Sequence, residues 1–507
     1  MDAAPGRRRG GLRRLRAGAV ACARPQAPCN PARVEAKETP AARNGPEESP
    51  VSDAQRPSTG PRTTTPAERP DDAPGPFVPG PARSPAPLPV RAGERSQMVD
   101  VLRGFALLGI LVPNMIYFAL PVDTTGAGPY GGFPAVLAGG APAPADVAYM
   151  ETMHTFFLGK MMFIFSMLFG AGVVFFDRKG PRVTGLWYAR MGWLALFGVL
   201  HAVFLWFGDI LLSYALAGLA LVWWARRWRP SVLLGVGGGL YLSGTAALLG
   251  LMLLLTSLGS AESAEQMPRL FTPEGQIERY RGAYLDAMLV RLAFWAQFFL
   301  IYPFSFFFGV TGMMLGGIGL ARLGVLTGER SPRFYGVLAG VGLGLGLPIA
   351  AGYALACADG GWTAREAVVF QTTAQLAGIP LGLGYVGLIG VVCTAAWARA
   401  ALAPVRTALG SAGRMAFTNY IAQSVICTTL FYGYGLGLFA GLGGAGLAGV
   451  VLAVWCFNLV FSVLWLRFFR FGPLEWVWRA LTYMRLPRMR REPAPAWAGA
   501  CPRTENP

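Results

Sequence analysis

From Val101 onward the chain alternates long apolar runs with short polar breaks, and before that residue it does not. Ten runs stand out, at 101–121, 156–176, 186–207, 210–226, 232–257, 292–320, 334–357, 374–397, 415–437 and 445–466. Most exceed the ~20 residues a helix needs to cross a hydrocarbon layer of ~30 Å. The apolar positions do not recur every second residue, and lipid offers no partner to an open strand edge, so helices are the only spanning form the pattern allows. The pattern therefore predicts an all-α polytopic transmembrane bundle of about ten spans. Only Gly208 and Asp209 part the third run from the fourth, which predicts a tight helical hairpin.

Residues 1–97 are rich in Pro, Arg, Ala, Ser and Thr without helical or strand period, a composition that buries too little apolar surface to order itself. They read as a disordered tail, followed by a membrane domain at 98–485 and a second disordered tail at 486–507. No apolar run follows the arginine-rich start, so no signal peptide is expected. Met98 directly precedes the first span and leaves translation from that residue open, a point N-terminal mass spectrometry would decide. In the long loop 258–291, Ile277, Tyr280, Tyr284 and Met288 recur at three- and four-residue intervals. That stretch reads either as a helix lying in the interface or as one capping the bundle.

Composition sharpens the class. Apolar residues make up 53% of the chain and charged residues 14%, against about 25% charged in ordinary globular proteins. The net charge of +17 invites a nucleic-acid reading, but the arginines gather in the two tails and in alternate short loops, while the long loop 258–291 has mixed charge. The loop 122–155 carries Asp123, Asp146 and Glu151 and no Lys or Arg. Arg178, Lys179, Arg182 and Arg190 follow span two, Arg226, Arg227 and Arg229 span four, and Arg322, Arg330 and Arg333 span six. Arg399, Arg406 and Arg414 follow span eight, and Arg467 and Arg470 span ten. Basic residues on every second loop place both termini on the cytoplasmic side, and arginine with heavy Ala, Gly and Pro usage fits a GC-rich bacterial genome, hence a bacterial cytoplasmic (inner) membrane. The expected partner is the lipid bilayer and not a nucleic acid. His154 and His201 are the only histidines, and the seven cysteines show no CxxC spacing, so no metal centre or disulfide scaffold is expected.

An ionisable group within lipid costs at least ~2.5–3.5 kcal/mol at a helix centre, so each needs a reason. Asp100 and Arg103 share a helix face at the mouth of span one, either as an anchor or with Arg103 as a fork for phosphate or carboxylate. Asn114 lies further along the same span. Lys160, the one lysine among the spans, reads either as snorkelling to the outer headgroups or as lining a site, and His154 as an exposed loop residue. His201 lies within span three and Asp209 in the hairpin turn beyond it. A buried histidine oriented by a carboxylate serves as a general base, yet eight residues of continuous helix would part the two by ~12 Å. Direct pairing requires the turn to fold Asp209 back; otherwise His201 bonds a neighbouring carbonyl. Arg414, Asn419, Tyr420, Gln423 and Ser424 form a polar face on span nine that either joins helices or meets substrate. Glu475 and Arg479, one turn apart after span ten, read as structural.

Five stretches together resemble the YeiB-like family of bacterial membrane proteins, which carries a domain named only for its unknown function. They are Asp100–Asn114 (DVLRGFALLGILVPN), Gly159–Gly172 (GKMMFIFSMLFGAG), His201–Tyr214 (HAVFLWFGDILLSY), Arg414–Ser424 (RMAFTNYIAQS) and Gly472–Tyr483 (GPLEWVWRALTY). A wider resemblance links the opening DVLRG to membrane acyltransferases of the O-antigen and heparan-glucosaminide types. In the former an arginine in span one is followed eleven residues later by a histidine; here Arg103 is followed by Asn114, so another base must serve. The resemblance implies acyl-CoA as donor, held at Asp100 and Arg103, and an extracytoplasmic glycan or lipid as acceptor. Catalysis would then fall to His201 with Asp209, while Asn114 or Lys160 steadies the oxyanion. A transporter or channel using the same polar groups is the alternative, and a scaffold without chemistry a third.

Overall fold

The computed structural model describes residues 96–122, 131–178, 180, 183–258, 268–301, 303–357 and 364–491. The expected tails lie outside the described residues apart from 96–97 and 486–491. Among the described residues the elements are helices and no strand occurs.

Helix α1 (Gln97–Ala119) starts where the Ser96 hydroxyl accepts the Val99 N–H at 3.5 Å, with Asp100 in the first turn facing the positive end of the helix dipole. Beyond Asp100 and Arg103 in its first turns and Asn114 further on, it is largely apolar, and most of it is buried within the bundle. Then come α2 (Pro144–Thr152), a π-turn at Met153–Phe157, and α3 (Lys160–Asp177). Helices α4 (Val183–Phe204) and α5 (Leu211–Ala225) form the expected hairpin. Helix α6 (Pro230–Leu258) precedes α7 (Pro273–Arg281), which packs onto the bundle through the buried Tyr280 and Gln276. The chain continues as α8 (Tyr284–Ile301), α9 (Pro303–Arg322), α10 (Pro332–Cys357) and α11 (Ala364–Thr394). It closes with α12 (Ala403–Arg414), α13 (Ala416–Phe431), α14 (Gly444–Phe468) and α15 (Pro473–Tyr483).

Among the described residues seven helices are long and apolar enough to cross a membrane: 97–119, 144–177, 183–204, 230–251, 332–352, 370–394 and 444–468. Two shorter apolar helices, 211–225 and 307–322, accompany them. The run expected to be unbroken at 292–320 is two helices, because α9 takes Pro303 as its first residue, where the missing N–H costs nothing. The run expected at 415–437 stops as a helix at Phe431, and α13 at 16 residues spans only ~24 Å.

Two close approaches position the site. A Cβ on Gly413 would strike the Asp100 carbonyl, and one on Gly104 the Leu409 carbonyl, so glycine lets α1 and α12 touch backbone to backbone. On α4, a Cβ on Gly198 would strike the Leu212 amide and fall 2.8 Å from Asp209 Oδ2, so glycine admits the returning turn of the hairpin.

Candidate functional site

Helix α4 ends three residues after His201, and the amides of Leu205 and Trp206 both bond the His201 carbonyl at 2.9 Å. The chain then reverses. Tyr284 and Arg291 of α8 hold this turn by donating to the Phe204 and Leu205 carbonyls at 2.7 and 3.3 Å. The reversal returns Asp209 beside the helix it has just left, so the pair that a straight helix would hold apart is joined. His201 Nδ1 lies 3.0 Å from Asp209 Oδ1, and the Leu212 N–H donates to Asp209 Oδ2 at 2.8 Å.

The other ring nitrogen, Nε2, lies 2.8 Å from Ser424 Oγ on α13. A carboxylate only accepts, so with Asp209 in that form Nδ1 would donate to it and the Nε2 lone pair would be left to accept from the Ser424 hydroxyl. His201, Asp209 and Ser424 are 2%, 6% and 1% exposed, which removes water as a competitor for these bonds. The ring of Tyr420, one turn before Ser424, packs 5.0 Å from His201, and its hydroxyl donates to the Gly208 carbonyl at 3.4 Å.

The far side of Tyr420 borders a cavity of about 300 Å³. Five arginines line it: Arg103, Arg190, Arg414, Arg470 and Arg479, with Asp100 and Glu475 as the acidic residues. Arg103 donates to Asp100 at 3.4 Å, as their three-residue spacing predicts. Arg190 sits 3.6 Å over the Trp478 ring, whose indole N–H donates to the Arg190 carbonyl at 3.0 Å. Towards Tyr420 the walls turn apolar and aromatic, through Phe169, Leu194, Leu211 and Tyr214. From Arg190 to His201 is eleven residues of α4, ~16 Å. The cavity thus has a cationic mouth and an apolar neck that ends one aromatic ring from the histidine.

Glu475 plays a part its spacing from Arg479 did not disclose. Its Oε1 accepts the Phe417 and Thr418 amides at 2.7 and 3.1 Å, and its Oε2 accepts the Thr418 hydroxyl at 2.5 Å. It caps the first turn of α13, the helix that carries Tyr420 and Ser424. Burial pushes its carboxyl above the usual range against those same hydrogen bonds, which pull it down.

Other expected site residues lie elsewhere. Lys160 is fully buried and does not reach for headgroups; its Nζ donates to the His154 carbonyl at 2.7 Å. His154, expected in an exposed loop, is fully buried on the π-turn, with Nε2 3.0 Å from the Phe370 carbonyl. Lys160 is not among the hydrogen-bond partners of His201. Asn114 is half-buried on α1 and belongs neither to the His201 group nor to the cavity wall. Asn419 joins helices, donating to the Ala412 carbonyl and to Ser462 at 3.2 and 2.8 Å. Gln423 is buried with its amide nitrogen unbonded.

The family model described as "Protein of unknown function (DUF418)" matches residues 320–485, from the end of α9 through α15. "Uncharacterized protein YeiB" of Escherichia coli (strain K12) is 34% identical over 403 residues, covering 77% of this chain and 96% of the relative. The chain belongs to the YeiB family. "Uncharacterized protein YxaH" of Bacillus subtilis (strain 168) is 31% identical over 417 residues, covering 78% of this chain and 96% of that protein. No solved structure matches. Within this YeiB-family chain the family model includes Arg414, Tyr420, Ser424 and the α15 residues of the cavity, while His201 and Asp209 lie outside it.

Proposed function

We propose that this YeiB-family chain is an acyltransferase of the bacterial cytoplasmic membrane. It takes an acyl group from a cytoplasmic acyl-CoA and passes it to a hydroxyl or amine of an extracytoplasmic glycan or lipid. The observation that carries this reading is the closeness of an arginine-lined cavity to a histidine oriented by a buried carboxylate, with the Tyr420 ring standing between the two. Guanidinium groups suit phosphate, and five of them match the polyanionic head of the donor. The apolar neck suits the slender uncharged arm that carries the thioester. Asp209 holds His201 in the tautomer that accepts a proton at Nε2, the requirement for a general base. The cavity mouth lies at the end of the bundle that carries the basic loops, which is the cytoplasmic end by the positive-inside rule.

The test uses the full-length protein in liposomes with radiolabelled acetyl-CoA and an extract of membrane glycans and lipids. Label entering the glycan or lipid fraction, and lost in His201→Ala, supports acyl transfer. Accumulation of a solute without covalent change would move the reading to transport, and no covalent transfer with any acceptor fraction would end the acyltransferase reading.

A further inference from the structure

A base alone needs only Asp209 and His201, yet the array has a third member. Ser424 Oγ sits 2.8 Å from His201 Nε2, nearer than the 3.4 Å to the Tyr420 carbonyl, its alternative partner. Carboxylate, imidazole and hydroxyl therefore form one chain of hydrogen bonds, with the hydroxyl at the end facing the general base. That is the arrangement of an activated nucleophile, in which a third group orients the base. The three residues come from the end of α4, the hairpin turn and α13, and His201 and Ser424 are 223 positions apart. Packing alone would be met by an apolar residue at 424, with His201 bonded to a carbonyl. Unspent donors stand nearby as well. The Trp206 indole N–H is buried without a partner, and its ring lies 6.4 Å from the His201 ring. The Gln423 amide nitrogen, next in sequence to Ser424, is likewise unbonded. Buried N–H groups left unpaired are costly in a resting protein and are what a developing oxyanion uses.

The geometry points to Ser424 as a catalytic nucleophile, so that transfer runs in two steps through an acyl-serine. The inference rests on the acyl-CoA reading for the identity of its donor. In the first step the Ser424 proton passes to His201 Nε2 while Oγ bonds to the thioester carbonyl carbon. The carbon–sulfur bond breaks, and the CoA sulfur leaves with the proton from His201. In the second step an acceptor hydroxyl gives its proton to His201 and its oxygen bonds to the acyl carbon. The ester bond to Ser424 breaks, and Oγ regains the proton. No oxidant, reductant or metal enters the balance. Tyr420, between the neck of the cavity and His201, must turn aside for the thioester to arrive, so the resting arrangement keeps the nucleophile from water and from free acyl donors.

The deciding measurement is made on the wild-type full-length protein in lipid nanodiscs, so that a misfolded variant cannot decide it. After exposure to acetyl-CoA without acceptor and an acid quench, peptide mass spectrometry is expected to find an acetyl group on Ser424. It is also expected to be absent in His201→Ala and Ser424→Ala. A fluorophosphonate probe, which traps activated serines without needing CoA, is expected to mark the same residue. If acetyl transfer to acceptor proceeds while Ser424 stays unmodified and Ser424→Ala keeps its turnover, the nucleophile is overturned and the acyltransferase reading stands. An acetyl group found on His201 overturns it equally. Probe labelling of Ser424 without any acyl-CoA turnover keeps the nucleophile and removes the donor. Neither label nor turnover overturns both.

Discussion

Replacing Asp209 by asparagine isolates the carboxylate's role without disturbing its shape. In the protein, Asp209 Oδ2 accepts the Leu212 amide at 2.8 Å and Oδ1 meets His201 Nδ1 at 3.0 Å. The asparagine oxygen must remain with the Leu212 N–H, because a buried unpaired amide is costly, and so its NH2 faces Nδ1. A donor there moves the imidazole proton to Nε2, which then points at Ser424 and can no longer take its proton. Returning to the working tautomer sets two donors face to face and leaves one buried and unpaired, at ~1–3 kcal/mol, while the imidazolium formed in the reaction loses a charge-assisted bond of ~1.5–3 kcal/mol. Together these come to ~2.5–6 kcal/mol, a fall in turnover of about 10²–10⁴-fold at ~1.36 kcal/mol per decade. The assay is release of free CoA thiol from acetyl-CoA, run beside a melting curve to show that Asp209→Asn folds as the parent does. Turnover within ~3-fold of wild type in a folded Asp209→Asn would refute the reasoning, since less than ~1 kcal/mol would then separate the tautomers in the reaction.

The hairpin supplies a second test: a methyl on Gly198 lands 2.8 Å from Asp209 Oδ2, so Gly198→Ala should displace the turn and cost ~1–3 kcal/mol in stability. CoA release should fall with it, and a Gly198→Ala protein of unchanged melting temperature and turnover would show the contact to be slack. At the cavity mouth, Arg103→Ala and Arg190→Ala should each weaken CoA binding by ~10–100-fold, the worth of one charge-assisted bond of ~1.5–3 kcal/mol. Isothermal titration at low salt reads this, and unchanged affinity in both would place the donor elsewhere. Glu475 gives a pH signature, because its carboxyl in the fold lies above the ordinary 4.5 through burial. Its protonation therefore favours the folded state: that stability is fully present below 4.5 and is lost as pH rises through the raised value. The melting temperature of wild type relative to Glu475→Gln should thus climb as pH falls from neutral towards 4.5, and the opposite slope would show that the hydrogen bonds outweigh burial.

How much of this could be read from the sequence differs from residue to residue. The spans were legible because lipid imposes one rule along the whole chain, and the hairpin because two residues leave no room for anything else. The Asp100–Arg103 pair follows from helical spacing alone. Whether Asp209 reaches His201 was not decidable from spacing, since the answer depends on Gly198 admitting the turn and on α8 holding it. Ser424 carried no local signal for its bond to His201. Its neighbours Asn419 and Gln423 drew attention as a ladder of amides, and Asn419 proved to be a helix tie. The exposed-loop reading of His154 and the snorkelling alternative for Lys160 fail for a local reason. The π-turn at Met153–Phe157 and the positive φ of Gly159 (79°) carry both inward, where regular helical spacing would set them at the rim. Arg190, Arg470 and Arg479 were visible as topology charges or as a surface pair, and nothing in a linear count reveals that three separated segments bring them to one cavity.

The energetics of burial argue for chemistry over scaffolding at His201. A polar cluster that only ties helices together is served by neutral amides and hydroxyls, as Asn419, five residues before Ser424, does with Ser462. An aspartate is the dearer choice, because a charge in this setting costs ~2.5–3.5 kcal/mol even after accommodation. Replacing buried ionic groups with well-packed apolar ones is often neutral or stabilising. Asp209 nevertheless spends one oxygen on the Leu212 amide and the other on a single imidazole, and no arginine or lysine among the described residues bonds or bridges to it. The Leu212 bond caps the start of α5, which a neutral side chain could also do, so what the charge adds is orientation of one proton on one ring. A fixed imidazole tautomer has no value to a helix bundle as such, and it has value to a hydroxyl 2.8 Å from the other nitrogen. Beside it, the Tyr420 ring lies between His201 and a cavity lined by five arginines, so that the proposed proton transfer would take place away from the strongest charges of the site.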